Sequence, residues 1–177
     1  MDRAGNFAPG HPLVTGPSDD RRFAVAKAGQ AAGSRDIVIT QADIKTLLNS
    51  KAAIFAGASI LMNRMGVSRE DLRRVYLAGG FGNSLDIEKA VAIGMIPDVP
   101  RERIRFVGNS SLSGARKVLL SERAWRLACD VAAKMTYFEL SADNRFMEEF
   151  VAAMFLPHTD WGRFPSLAGA CCQKERC

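Results

Sequence analysis

Residues 75–86, VYLAGGFGNSLD, decide how this chain folds. Val75-Tyr76-Leu77-Ala78 is a short run of strand-forming residues, and it stops abruptly on Gly79-Gly80. A polar turn follows, and Asp86 stands where the N-cap of a helix belongs. Strand, glycine turn and helix form the unit from which α/β folds are assembled. Ligands of such folds sit where strand carboxyl ends meet helix amino ends. Glycine at that place lets backbone N–H groups approach an anion without a side chain in the way. The turn matches neither GxGxxG nor GxxxxGK[ST], so taken alone it serves turn geometry as readily as a phosphate.

The same grammar recurs downstream. Ile104-Arg105-Phe106-Val107 predicts a strand, Gly108-Asn109-Ser110-Ser111 a turn, and residues 112–120 and 122–134 two helices. Two glycine turns at one sheet edge would flank a single ligand; alternatively, Gly114 and Ala115 serve close helix packing. Upstream, Ile44, Leu47, Leu48, Ala52, Phe55, Ile60 and Leu61 recur at helical spacing, so a helix is expected from Gln41 to about Met65. Thr40 is its expected cap and Gly66 its stop. Within it, Ala56-Gly57-Ala58-Ser59 is a small-residue patch against which another element can pack. Residues 22–27 (RFAVAK) and 36–40 (DIVIT) read as a hairpin, residues 86–93 as a helix closed by Gly94-Met95-Ile96-Pro97, and residues 137–140 (YFEL) as a last strand. Residues 143–155 read as a last helix with Phe146, Phe150, Val151, Met154 and Phe155 on its apolar face. The fold class is α/β with a largely buried sheet.

Composition fits a globular chain: 177 residues, 47% apolar and 24% charged. The net charge is +5, and its basic residues look scattered, densest at Arg73-Arg74 and at Arg101, Arg103 and Arg105. Solvated faces explain these better than a nucleic-acid stripe, so no nucleic-acid partner is expected. No apolar run approaches the ~20 residues of a membrane helix, and the first residues carry no secretory core, so a cytoplasmic protein is expected. Of four cysteines, Cys171, Cys172 and Cys177 crowd the end without ligand spacing, and Cys129 is expected to be a small buried residue on an apolar helical face. His11 and His158 have no partner at metal-ligand spacing; His158, in Leu156-Pro157-His158-Thr159-Asp160, reads as a turn or capping residue. Asp86 and Glu88 point apart on a helix and read as structural. Phe146, Phe150, Met154 and Phe155 read as core.

Taken in order, these stretches resemble a known family: the C-terminal actin-like (ASKHA, ribonuclease H-like) ATPase domain of the reductive activators of corrinoid proteins. The matching residues are DIVITQADI (36–44), KAAI (51–54) with Ala56-Gly57, LAGGFGNSLD (77–86), IGMIP (93–97), VGNSSLSGA (107–115), YFEL (137–140) and FVAAMFLPHTD (150–160). The resemblance spans residues 36–165. It implies the second lobe of that fold, a central mixed sheet flanked by helices. Residues 1–35 would be an irregular segment with a candidate edge strand, and residues 166–177 a disordered cysteine-containing tail.

The family implies ATP as cofactor, a corrinoid protein as partner, and the return of Co(II) corrinoid to Co(I) in corrinoid-dependent methyl transfer. By that resemblance Gly79, Gly80 and Phe81 line the nucleoside and Lys51 sits beside it. Asn83, Gly108, Asn109 and Ser110 form a second tier. No catalytic residue is assigned. The acidic loops that hold Mg²⁺ and the outer phosphates are not found in these residues, and no CxxxxCxxC motif provides an iron–sulfur cluster. The expected partners therefore include the other ATPase lobe and an iron–sulfur domain, and stand-alone ATPase activity is expected to be low. The alternative reading is a non-catalytic module of the same fold that homodimerises or docks partners, with its glycine turns purely structural. A related activator of the radical dehydratase type would hold a [4Fe-4S] cluster, and no cysteine here stands in a suitable loop.

Overall fold

The computed structural model describes residues 1–18, 20–30, 33–80 and 84–168. Strands β1 (Val14–Thr15), β2 (Arg22–Ala26) and β3 (Ile37–Thr40) form an antiparallel sheet in that order. Helix α1 (Gln41–Arg64) follows directly. Strand β4 (Val75–Ala78) then leads through the glycine turn to α2 (Ile87–Ala92), and β5 (Ile104–Gly108) pairs with β4 in parallel. Helices α3 (Ser110–Leu120), α4 (Glu122–Lys134) and α5 (Asn144–Ala153) complete the chain, with 3-10 turns after it at Trp161–Arg163 and Pro165–Leu167. The α/β class holds, with the strands in two small sheets. No helix among the described residues is long and apolar enough to cross a membrane.

Local chemistry sets these boundaries. Thr40 and Asp43 form a reciprocal capping box, each side chain taking the other residue's backbone N–H, and this fixes where α1 starts. Met65 closes the helix and Gly66 turns the chain away at φ +64°. Asp86 accepts from the Lys89 N–H to start α2, and Ser121 caps α4. The predicted hairpin forms as β2 and β3, paired Phe23 to Ile39 and Arg22 to Thr40.

The core sits under α1. Its inner face presents Leu48, Lys51, Ala52, Phe55, Ala56, Ser59 and Ile60, and α5 lies along it. Ala52, Phe55, Ala90, Val91, Ile96, Val99, Ile104, Ala153 and Phe164 form one buried cluster. Each large apolar side chain so buried contributes about 1.5–3 kcal/mol. The small-residue patch serves this packing: Ala56 is buried, and Gly57 faces Leu140.

Several expectations change. Residues 137–140 form no strand; they lead into the 3-10 turn Leu140–Ala142. Cys129 is exposed, on the side of α4 that carries Glu122 and Arg126. The β4–β5 sheet is open on its outer face, with Tyr76 and Val107 exposed. On α5, Val151 is exposed while Phe146 and Phe150 are half-buried. The first residues are knit into the body: Phe7 is buried, Gln41 bonds to the Gly5 carbonyl and the Phe7 N–H, and the Arg3 carbonyl accepts from the Leu156 N–H. The segment 169–177, with Cys171, Cys172 and Cys177, lies outside the described residues.

Candidate functional site

The two glycine turns lie side by side. β4 and β5 are parallel neighbours, and the Gly79 N–H donates to the Gly108 carbonyl at 2.8 Å. Gly79 at φ +104° and Gly108 at φ +61° hold left-handed conformations that other residues adopt only with strain. Gly80 and Gly114 have no such requirement. Among the described residues, a Cβ built on any of these four meets no atom within 4 Å. Close helix packing is therefore not what keeps Gly114 a glycine among the described residues. Gly79, Gly80 and Gly108 lie at the carboxyl edge of the sheet, and Gly114 stands inside α3.

Helix α3 begins at this edge. The Asn109 carboxamide caps it, accepting from the Leu112 N–H at 3.0 Å, and Ser110 follows, exposed, as its first residue. Of the expected second tier, Gly108 shapes the turn, Asn109 is engaged as the cap, and Ser110 remains accessible. Phe81 and Asn83 lie outside the described residues. Asp86 is committed to the N-cap of α2 and to an ion pair with Lys89. Glu88 pairs with Arg101.

Lys51 has a different occupation from the one expected. It is fully buried, and its ammonium donates to the carbonyls of Phe155 and, at 2.8 Å, Pro157. Burial pushes it down to about 8. Among the described residues no hydrogen bond or ion pair joins it to the glycine turns; it fastens α1 to the chain leaving α5. The signal for its burial, though not for its partners, was in the sequence, since Lys51 stands on the same helical stripe as Leu48, Ala52 and Phe55.

His158 is the turn residue its context suggested, and it is also buried. Its Nδ1 accepts from the Asp160 N–H at 3.0 Å, and its ring lies 5.3 Å from the Phe55 ring. Its Nε2 has no hydrogen-bond partner and stands 3.8 Å from Glu149, which is paired with Arg163. Burial, then the Arg163 charge, hold the imidazole below its usual range. Among the described residues no group of three His, Cys, Asp or Glu side chains is placed to hold a metal ion.

A cleft of about 470 Å³ opens elsewhere, between Phe55, Ser59 and Met62 of α1, the 67–70 turn and the 160–163 turn. None of the expected site residues lines it. Its charged groups are mutually satisfied, Arg69 by Glu70 and Arg163 by Glu149 and Asp160. The glycine edge is the better candidate although it is no enclosed cavity, because its geometry presents unencumbered backbone at a helix amino end.

Known proteins share this chain's sequence and shape. A family model described as the C-terminal domain of RACo, the ASKHA domain, matches residues 1–168. The corrinoid activation enzyme RamQ of Eubacterium limosum is 31% identical over 158 residues, which is 84% of this chain and 27% of RamQ. A solved structure of a reductive activator for corrinoid, iron-sulfur protein superposes with a TM-score of 0.85 at 44% identity, covering 94% of this chain and 27% of that one. The chain thus spans about a quarter of the length of the relatives it matches.

Proposed function

The chain belongs to the family of C-terminal ASKHA domains of RACo, and from that premise we propose that it is the nucleotide-binding lobe of an ATP-dependent reductive activator of corrinoid proteins. The observation that carries this reading is the pair of glycine turns tied together by the Gly79–Gly108 hydrogen bond. They stand beside the start of α3, and among the described residues nothing lies within 4 Å of a Cβ built on Gly79, Gly80 or Gly108, so main chain there can approach a ligand closely. These residues fit the nucleoside and the nearest phosphate. They do not fit a whole Mg²⁺–triphosphate site, because the acid nearest the first turn, Asp86, is already engaged as a cap.

In this reading ATP supplies the free energy that couples domain closure to uphill reduction of the corrinoid cobalt. The chain's own residues bind and orient. Gly79 and Gly108 set the turn geometry, Gly80 leaves room for the ligand, and Ser110 offers a hydroxyl at the amino end of α3. Asn109 holds that helix end in place. Lys51 contributes from behind, by keeping α1 and the 155–157 segment in register. Phosphate chemistry and electron delivery fall to parts the longer relatives possess. A second reading, a docking module without nucleotide, is favoured by a different observation: α3 and α4 bury little against the rest of the chain.

Calorimetry with ATP on the full chain and on Gly80→Val separates the two. Gly80 does not hold a positive φ and has open space beside it among the described residues, so valine is expected to leave the fold intact. Nucleotide binding is expected to weaken by about tenfold or more, with the circular dichroism spectrum unchanged. Equal affinity of parent and variant, or no ATP affinity in a protein reassembled with the missing lobe, would sink the nucleotide reading.

A further inference from the structure

His158 is 2% exposed, and its Nε2 makes no hydrogen bond among the described residues. The other ring nitrogen fixes the tautomer. Nδ1 accepts from the Asp160 N–H at 3.0 Å, so the proton of the neutral ring sits on Nε2. That N–H is a donor sealed from water and left unmet, which native interiors seldom carry without a reason. A carboxylate oxygen, Oε1 of Glu149 on α5, stands 3.8 Å away, beyond hydrogen-bond distance, and it is taken by Arg163.

Charged groups face the ring from every element packed against it. Burial opposes protonation most, followed by Arg163 of the 161–163 turn and by Lys51 of α1, while Glu149 and Asp160 favour it. The balance holds the imidazole below its ordinary 6.5, so the ring is neutral at pH 7. Phe55 and Phe164 lie against it, with ring centres at 5.3 and 6.5 Å. Arg3 donates to the His158 carbonyl at 2.7 Å and lies over the Trp161 ring, which pins the chain before the turn. All these groups belong to the described residues, so the arrangement works without a surface supplied from elsewhere.

We propose that His158 is a proton switch for the turn 158–163, in which Glu149 and the Asp160 N–H change partners together. With the ring neutral, Nδ1 holds the Asp160 N–H and Glu149 holds Arg163. A proton taken from solvent at Nδ1 ends its capacity to accept, and the Asp160 N–H is released. The same proton makes Nε2–H a charged donor, and a shift of about 1 Å brings Glu149 into a charge-assisted hydrogen bond with it. Arg163 is not stranded by the exchange. Its side chain is 35% exposed, and its Nε already stands 3.7 Å from Oδ2 of Asp160. Asp160 in turn caps the 3-10 turn Trp161–Arg163 by accepting from the Gly162 N–H. Asp160, Gly162 and Arg163 line one side of the cleft of about 470 Å³, so the proton sets the shape of that wall.

The test is a pH titration of the full chain by heteronuclear NMR, with His11→Asn assigning the signals of His158. Trp125→Phe leaves Trp161 as the sole tryptophan and a fluorescent reporter of the turn. The neutral ring is expected to carry its proton on Nε2 and to titrate with a midpoint below 6.5. The Asp160 amide signal and the Trp161 fluorescence are expected to change at the same midpoint, with the far-UV circular dichroism unchanged. Glu149→Gln removes the receiving carboxylate and is expected to lower the midpoint by about 1 unit or more. His158→Asn offers an amide oxygen to the Asp160 N–H at every pH and is expected to abolish the fluorescence step.

The switch is overturned if the neutral ring carries its proton on Nδ1, or if the midpoint lies at or above 6.5. It is overturned equally if the Asp160 amide or Trp161 stays still while the ring titrates, or if Glu149→Gln moves the midpoint by less than about 0.3 unit. Loss of the far-UV signal at the same midpoint would replace a local switch with global acid unfolding. Should Glu149→Gln fail to fold, a fluorescence step that persists in His158→Asn overturns the inference by itself. No nucleotide enters the experiment, so its failure leaves the ATP reading where calorimetry puts it.

Discussion

The α1–α5 body and the α3–α4 hairpin both combine leucine and alanine with arginine and lysine, and they use them in opposite ways. In the body, apolar stripes meet: Phe55 packs on Phe164, Ala153 and Val91 are sealed, and even a lysine is consumed internally. In the hairpin, stripes of the same quality face outward, and neither α3 nor α4 has a single buried residue. The stability of this chain therefore belongs to the body, and the hairpin holds apolar surface in reserve for contacts outside these residues. A helix pair can be well formed, capped and periodic while contributing little to the tertiary core that surrounds its own anchor points.

Two glycines put that contrast to its hardest test. Gly94 sits at φ +74°, and a Cβ there would come within 2.0 Å of the Pro157 carbonyl oxygen. Backbone would have to yield, so Gly94→Ala is expected to cost about 3 kcal/mol or more in urea denaturation. A cost below about 1 kcal/mol would mean that the body yields as readily as the hairpin.

Lys51→Met comes next. It keeps the side-chain volume and leaves the Phe155 and Pro157 carbonyls without their donor, at an expected cost of about 2–4 kcal/mol. The pH dependence gives an independent sign. Because the folded-state value lies near 8, below the ordinary 10.5, the unfolded chain holds the proton more tightly between those limits. Stability is therefore expected to rise with pH from about 8 to about 10.5, and Lys51→Met is expected to abolish that slope. A parent whose stability is flat or falls across this window would contradict the assigned cause.

Gly114→Ala has the opposite sign. Inside α3, with open space around it, alanine is expected to stabilise the chain by up to about 1 kcal/mol. The smallest effect is Leu127→Ala, within about 0.5 kcal/mol of the parent although the same truncation in a packed core costs several. A loss of 2 kcal/mol or more there would show that the hairpin is packed in solution and erase the distinction.

Much of the body was legible because its signals are local. Thr40, Gly66 and Asp86 are chemical punctuation, and each marks an observed helix end. Residues 137–140 failed because strand propensity says nothing about whether a neighbour exists to accept the ladder; Leu140 instead turns toward Gly57. Cys129 failed for a different reason: at helical spacing it falls beside Glu122 and Arg126, not on the apolar stripe of α4. At the candidate site, the adjacency of the two glycine turns followed from the parallel reading of β4 and β5. The engagement of Lys51 did not follow, because the carbonyls that capture it lie more than a hundred residues along the chain.

The hydrogen bond from Gly79 to Gly108 has a mechanical side. It joins the last link of one strand to the last link of the next, and two residues beyond that weld α3 begins. The root of the hairpin is thus moored to the first turn by main chain rather than by a side chain, so a substitution at either glycine that keeps the backbone path leaves that mooring in place.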